Sequence, residues 1–489
     1  MKSFWIKCMA LLLGLSMLNT SCVEQLAELN VNPNATSEIN PDFVFTYSQL
    51  KVSGDRYENW RAMLIYSSTM IQHLSALAGY WTGDKYTYNG GYSSSLWDRH
   101  FPDAGKNLFN LRVILSEDPE DATKLAQVRI MSVLADHRVT DLYGDMPYSK
   151  AYRGFTDQIF KPSYDTQESI YAAMLTELEQ AAAQLSASQD NFGAADILYG
   201  GDIDKWKKLA NSLMLRLAMR MTKVDAAGAQ AWAEKAMAGG VFTSNDDIAY
   251  MEHTAGPSGI NMNGIGQVFQ ADDNQRLSAS FIDRLAATGD PRLDIFGDLP
   301  GAQKGLPNGF DATTIQSYPG GDDLDTYSRV NPLLVDISSP MVFMTYAEVE
   351  FLLAEMATRN WGGMNPDQAK DHYEAGVRAG MQQWSIYDGS LAIDGADVDT
   401  WLTNNPYDAA NAMEQIHEQY YIATFLNEYE AYANYRRTGY PVLVDVDYPG
   451  NEANGKIPRR LRYPGSEASV NAENYDAVLV QQGPDEFTT

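Results

Sequence analysis

Five aromatic residues, Tyr80, Trp81, Tyr86, Tyr88 and Tyr92, fall within thirteen positions, interleaved with Gly79, Gly83, Asp84, Asn89, Gly90 and Gly91. Such rings stack on the apolar faces of sugars while nearby Asp and Asn side chains bond hydroxyls; the same flat side chains also suit peptides. No helical or strand period orders them, and glycine at this density predicts a loop. Tyr80, Trp81, Asp84, Tyr86, Tyr88, Asn89 and Tyr92 are therefore candidate recognition residues, against the plain alternative that two or three of the rings cover underlying helices. Asn263 and Gln267 from a glycine-rich stretch, and Tyr318 from the loop that follows, join the set. Trp97, beside a helical run, reads as core.

Catalytic and metal chemistry finds less support. Gly450 to Lys456 matches the phosphate-loop spacing, but Ile457 replaces the hydroxyl that would hold magnesium and Pro458 blocks a regular helix start. His417-Glu418 opens like a zinc-protease helix, yet Tyr421 stands where the second histidine is required, so His417 reads as a helix-surface or core residue. Asp322, Asp323 and Asp325, and likewise Asp394, Asp397 and Asp399, lack the central Gly and terminal Glu of a calcium loop and read as solvated acidic loops. Glu348 and Glu350, two apart on a helix, point to different faces and cannot close on one glycosidic bond. No catalytic residue, metal ligand or cofactor is expected; a glycosidase using acids from separate loops stays open as a competing reading.

The chain that carries these residues has 489 positions, is 45% hydrophobic and has a formal net charge of -28, with 64 acidic against 36 basic side chains. Its field repels phosphate backbones, which argues against nucleic acid as a partner. Two cysteines, Cys8 and Cys22, cannot build a disulfide framework over this length. Lys2 and Lys7 precede the apolar run from Cys8 to Leu18, which ends before Asn19-Thr20-Ser21-Cys22, the layout of an export signal too short to span a bilayer. The residues before Cys22 resemble a bacterial lipobox, with Asn19 in place of the usual aliphatic residue. Cys22 is thus the expected lipidation site, and membrane attachment is expected through that lipid alone.

Beyond a polar tether, helical periodicity dominates. Ile170, Met174, Leu178, Ala181 and Leu185 share one face, as do Trp206, Leu209, Leu213 and Leu217. Tyr346, Val349, Leu353 and Met356, then Asn360-Trp361-Gly362-Gly363, then Ala369, Tyr373, Val377, Met381 and Trp384 predict an antiparallel hairpin of about forty residues, near the tetratricopeptide unit. A further helix runs through Met413, Ile416, Tyr420 and Ala423. Between these blocks, positions 255 to 325 hold eleven Gly and five Pro in 71 residues, about twice average glycine usage, with one embedded helix around Ser278 to Ala287. The expected organisation is a signal over 1–21, a tether over 22–40, helical hairpins over 41–240, a loop-rich insertion over 241–342, hairpins again over 343–440, and an irregular segment over 441–489.

Taken in order, several segments resemble the SusD-like (SusD/RagB) family of nutrient-binding outer-membrane lipoproteins. They are Leu29-Asn30-Val31-Asn32-Pro33-Asn34; Thr140-Asp141-Leu142-Tyr143-Gly144-Asp145-Met146-Pro147-Tyr148; Tyr164-Asp165-Thr166-Gln167-Glu168; and Trp206-Lys207-Lys208-Leu209-Ala210-Asn211 with Arg216. They continue with Asp290-Pro291-Arg292-Leu293, Met344-Thr345-Tyr346-Ala347-Glu348, Tyr435-Arg436-Arg437-Thr438-Gly439-Tyr440-Pro441 and Ile457-Pro458-Arg459-Arg460. Most of these look architectural, with Arg437 and Arg460 suited to bracing carboxylates. The resemblance implies an all-α fold of four tetratricopeptide-like hairpins with a loop-rich irregular subdomain. It also implies a lipid anchor facing the cell exterior, an oligosaccharide or peptide ligand, and a SusC-like TonB-dependent barrel as partner. It assigns no ligand residue, and it leaves open a purely structural lid.

Overall fold

The computed structural model describes residues 39–489; the expected signal, Cys22 and most of the tether lie outside them. Residues 45–489 form one compact unit, and the first described helix is α1 (Pro41–Val52). After α1 come α2 (Lys106–Leu115), α3 (Ala122–Tyr143), α4 (Gln167–Gln184), α5 (Ile203–Arg220) and α6 (Ala226–Gly239); from α2 onward each packs against the next. The helices start where the side chains supply caps. The Thr166 hydroxyl accepts from the Ser169 amide, and the Asp202 carboxylate from those of Asp204 and Lys205.

The loop-rich segment carries α7 (Gly264–Ala271) and α8 (Ala279–Thr288), the latter capped by Ser278 and ended by Gly289 in the left-handed region. Then α9 (Tyr346–Thr358) and α10 (Pro366–Gln382) form the expected hairpin. Thr345 and Glu348 make a capping box at the start of α9, and Asn365 and Gln368 another at the start of α10. Gly376 lets the two helices close up: a Cβ there would stand 2.6 Å from the Phe351 ring. After α11 (Gly395–Asn404), α12 (Ala412–Ala423) packs on α9 and α10, and α13 (Glu428–Thr438) on α3 and α12. The C-terminal segment is less irregular than its sequence suggests, because it contains α14 (Ala472–Gln482). Gln482 Oε1 accepts from the Asp145 amide at 2.6 Å and its Nε2 donates to the Tyr143 carbonyl, so α14 braces the exit of α3 at Gly144.

Four short strands make two antiparallel ladders, β1 (Leu74–Ala76) with β3 (Gln275–Leu277), and β2 (Ala249–Met251) with β4 (Met341–Met344). A buried charge network crosses the helical layers. Arg216 on α5 forks onto both oxygens of Glu348 on α9 at 2.8 and 2.9 Å and lies 3.2 Å from Glu430 on α13. Arg220 reaches Glu430 at 2.7 Å, and the Tyr420 hydroxyl bridges Glu348 and Glu430. Nearby, Arg437 forks onto Glu355, with His417 Nε2 3.1 Å away, and Arg292 forks onto Asp290. His417 is therefore a core residue, fully buried. Arg460 holds Asp485 at 2.9 Å, so both expected bracing arginines meet carboxylates.

Candidate functional site

The ladder between β1 and β3 decides what faces Tyr80. Antiparallel register sets Ala76 opposite Gln275, so the chain leaving β1 toward Tyr80 runs beside the chain entering β3 from Asp272. Tyr80 donates its hydroxyl to both carboxylate oxygens of Asp272 at 2.9 Å, and the Asn274 Nδ2 donates to the Tyr80 hydroxyl at 2.8 Å. Burial, and after it the hydrogen bond to Asp272, pushes the Tyr80 phenol up to about 12. Tyr80 therefore stays protonated, and the residue is 37% exposed.

The other half of the surface comes from a wide π-type helix, Asn59–Ser68. Trp60 meets the Tyr80 ring edge-on at 5.9 Å and Tyr92 at 6.5 Å. The Arg61 guanidinium lies over the rings of Tyr57 and Tyr92, at 5.1 and 5.3 Å. Tyr57, Tyr92, Trp60 and Tyr80 so form a partly exposed aromatic arc, interleaved with Arg61 and ending at the polar pair Asp272 and Asn274. π-type turns recur at functional positions because the extra residue per turn re-aims side chains.

Helix α7 fixes the arc against the rest of the fold. A Cβ on Gly264 would overlap Asn59 Nδ2 and stand 2.9 Å from the Asp55 carbonyl, so α7 is pressed onto the base of the π helix. Two residues on, Gly266 touches the backbone of Asp336 and Ile337 as closely. The next turn, Phe269 and Gln270, lines a cavity of about 250 Å³ with Gln275, Arg329, Val335 and Ile337.

Of the residues expected from sequence, Tyr80 and Tyr92 belong to the arc. Trp81 is fully buried and gives its indole N–H to Asp272 at 3.2 Å, so it supports Tyr80 and presents no face to solvent. Asp84 is fully buried as well. Burial raises its carboxyl pKa and Lys85 opposes the rise, while Asn308 Nδ2 donates to it at 2.5 Å. Tyr86 is buried with φ +52°, closing the turn over Thr82–Lys85. The Tyr88 ring lies 3.9 Å under the Arg462 guanidinium, and its amide donates to Glu452. Asn89 caps a one-turn helix through the Tyr92 amide. Asn263 is 2% exposed and caps α7, and Gln267 donates to Met262 Sδ at 3.4 Å. Tyr318 is 36% exposed and leans on Phe310, at the rim of a small core of Leu77, Leu306, Ile315 and Tyr327.

Sequence reading passed over Tyr57, Trp60, Arg61, Asp272 and Asn274. A signal existed: Tyr57 and Trp60 or Arg61 are three and four apart, so two aromatics and a cation share one helical face. Among the described residues no group of three or more His, Cys, Asp or Glu could hold a metal ion, and no helix is long and apolar enough to cross a membrane. Glu348 and Glu350 diverge, the first to Arg216 and the second to His372 at 2.7 Å.

A family model described as SusD-like, "starch-binding associating with outer membrane", matches residues 33–464. Curated proteins give no match. Among solved structures, a chitin-binding protein is 34% identical over 92% of this chain and 98% of its own, with a TM-score of 0.83. A SusD homolog from Bacteroides uniformis is 26% identical over 91% and 98%, at 0.78. A chitin-binding SusD homolog from Flavobacterium johnsoniae is 25% identical over 92% and 97%, at 0.76.

Proposed function

Because the chain belongs to the SusD-like family, whose description is starch-binding and outer-membrane associating, we propose that it is a non-catalytic receptor for oligosaccharides. The aromatic arc of Tyr57, Trp60, Tyr80 and Tyr92 carries this reading. Exposed rings stack on sugar faces, and the Tyr80 hydroxyl, fixed by Asp272 and Asn274, keeps a lone pair for a sugar hydroxyl. Tyr57 and Tyr80 are exposed, 45% and 37%, which fits a chain ligand lying along them better than a small molecule enclosed in a cleft. The similarity to chitin-binding structures makes chito-oligosaccharides the first ligands to test.

In this proposal Cys22 carries lipid and tethers the receptor to the outer membrane, facing the exterior. The captured glycan passes to a SusC-like TonB-dependent barrel. A peptide cargo would use the same arc, since flat rings also cover peptide planes.

Calorimetry of the purified chain against chitin-, starch- and cellulose-derived oligosaccharides and a peptide panel tests the reading. Binding to a glycan series that disappears in a Trp60→Ala/Tyr80→Ala/Tyr92→Ala variant with an unchanged unfolding transition supports it. Unaltered affinity in that variant removes the arc from the site. Release of shorter sugars by the pure protein would return the glycosidase reading.

A further inference from the structure

We infer that the cavity beside the arc is an acetamido pocket, so that the receptor selects glycans built from N-acetylated amino sugars. The inference rests on the glycan-binding reading above and names the chemistry of one subsite within it.

Gln275 carries the argument. Its side chain is buried, 2% exposed, in the wall of the 250 Å³ cavity. Nε2 donates to the backbone carbonyl of Asp272 at 2.8 Å, and a carbonyl oxygen can only accept, so the orientation of the amide is fixed. Oε1 is then left as a buried acceptor with no partner. An orphaned buried acceptor costs about 1–3 kcal/mol, and because the oxygen is covered by the cavity wall, an N–H removes that cost by displacing the side chains over it. Sugar hydroxyls can donate to such an atom too, but they bring nothing apolar with them. The remaining wall is mixed: Phe269, Val330, Pro332, Val335 and Ile337 give it an apolar portion, beside Gln270, Asp273 and Asp336.

Arg329 completes the set. Its Nε and Nη2 are held by Asp273 at 2.9 and 3.1 Å and by Asp325 at 2.8 Å, while Nη1 stands 4.0 Å from Asp298, outside hydrogen-bond range of it. An acetamido group offers an N–H for Gln275, a carbonyl for a guanidinium and a methyl for the aliphatic wall. A plain hydroxyl can donate and accept but brings no methyl for the aliphatic wall. The volume takes a single substituted ring rather than an oligosaccharide, which makes this one subsite of a longer surface.

The pocket adjoins the arc through the chain itself. Asp272 receives Tyr80 on its carboxylate and Gln275 on its carbonyl, and α7 presses on the π helix at Gly264 while lining the cavity at Phe269. A polymer crossing from Tyr80 over Asn274 therefore reaches the cavity at the next residues of the same turn.

The test is calorimetry of the full mature chain with matched β-1,4 oligomers of N-acetylglucosamine and of glucose. The wild type should favour the acetylated series at least tenfold. Gln275→Leu should abolish the difference between the two series, with circular dichroism and the unfolding transition checking that β3 stays intact. Saturation-transfer NMR on the wild type needs no substitution: the acetamido methyl protons should show the strongest enhancement. A preference that survives in Gln275→Leu, or methyl protons no more enhanced than ring protons, overturns the acetamido pocket and leaves the arc standing. Failure of both series overturns the acetamido pocket, and failure of starch-derived oligosaccharides as well overturns the glycan reading itself.

Discussion

The hydroxyl of Tyr80 sits 2.9 Å from both carboxylate oxygens of Asp272, a residue 192 positions further along the chain. Asp272 also takes the Trp81 indole, so one buried acid orients two rings. Asp272→Ala should weaken oligosaccharide binding about tenfold, ~1.4 kcal/mol, while Tyr80→Phe, which keeps the ring, should lose less. Titration calorimetry of the two variants, with circular dichroism to check the fold, reads this directly.

Gly264 is where α7 meets the π helix. Gly264→Ala should lower unfolding stability by about 1–3 kcal/mol through overpacking against Asn59 and the Asp55 carbonyl, and should weaken glycan binding because Trp60 is displaced with its helix. Urea unfolding followed in parallel with binding separates the two effects.

Glu58, buried beneath the same segment, predicts a pH dependence. Burial raises its carboxyl to about 8 from an ordinary 4.5, against the opposing pull of Arg138. A raised carboxyl favours folding in its protonated form, so this contribution is full below about 4.5 and is lost as the pH climbs through about 8. Glu58→Gln should match wild-type stability near pH 4 and exceed it by a few kcal/mol near pH 9, since the wild type loses about 1.4 kcal/mol for each pH unit climbed between those two values. Melting curves across that range, taken as the difference between the two proteins, check it.

Arg216 balances Glu348 and Glu430 in a site sealed from solvent, with its own side chain 2% exposed. Arg216→Met should cost about 3–5 kcal/mol, because it strands buried carboxylates. Adding Glu348→Gln should recover part of the loss. Denaturant titrations of the single and double variants give the coupling.

If Cys22 is acylated as proposed, Cys22→Ala should convert a membrane-associated protein to a released one, since each buried acyl methylene contributes about 0.8 kcal/mol and the substitution removes the attachment point. Fractionation followed by a salt wash distinguishes the outcomes; retention of the variant on membranes contradicts the lipid anchor.

The helical frame was readable because its determinants are local and periodic. Leu209, Leu213 and Leu217 face inward on α5 as their spacing demands, and the apolar positions Val349, Leu353, Met356, Ala369, Tyr373 and Val377 fall inward on the hairpin of α9 and α10. The site was readable only in part. Density of aromatic residues found Tyr80 and Tyr92, but Trp81 and Tyr86 occur in the same thirteen positions and are buried. What separates them is not local: Trp81 turns inward to reach Asp272, and Gly83, pressed on the Ile65 carbonyl, drives the turn carrying Asp84 into the interior. Trp60 was hidden for the opposite reason, because its neighbours Ala62, Met63, Leu64 and Ile65 make the segment look like any buried helix. Asp272 and Asn274 became visible only through the register of β1 on β3.

That ladder also sets a timetable. A growing chain that has reached α5 already contains Tyr57, Trp60, Tyr80 and Tyr92, yet the strand that positions Tyr80 lies still ahead of it, at residues 275 to 277. The aromatic arc is thus assembled late in synthesis, and a truncated product ending before α7 carries the four aromatic residues without the scaffold that spaces them.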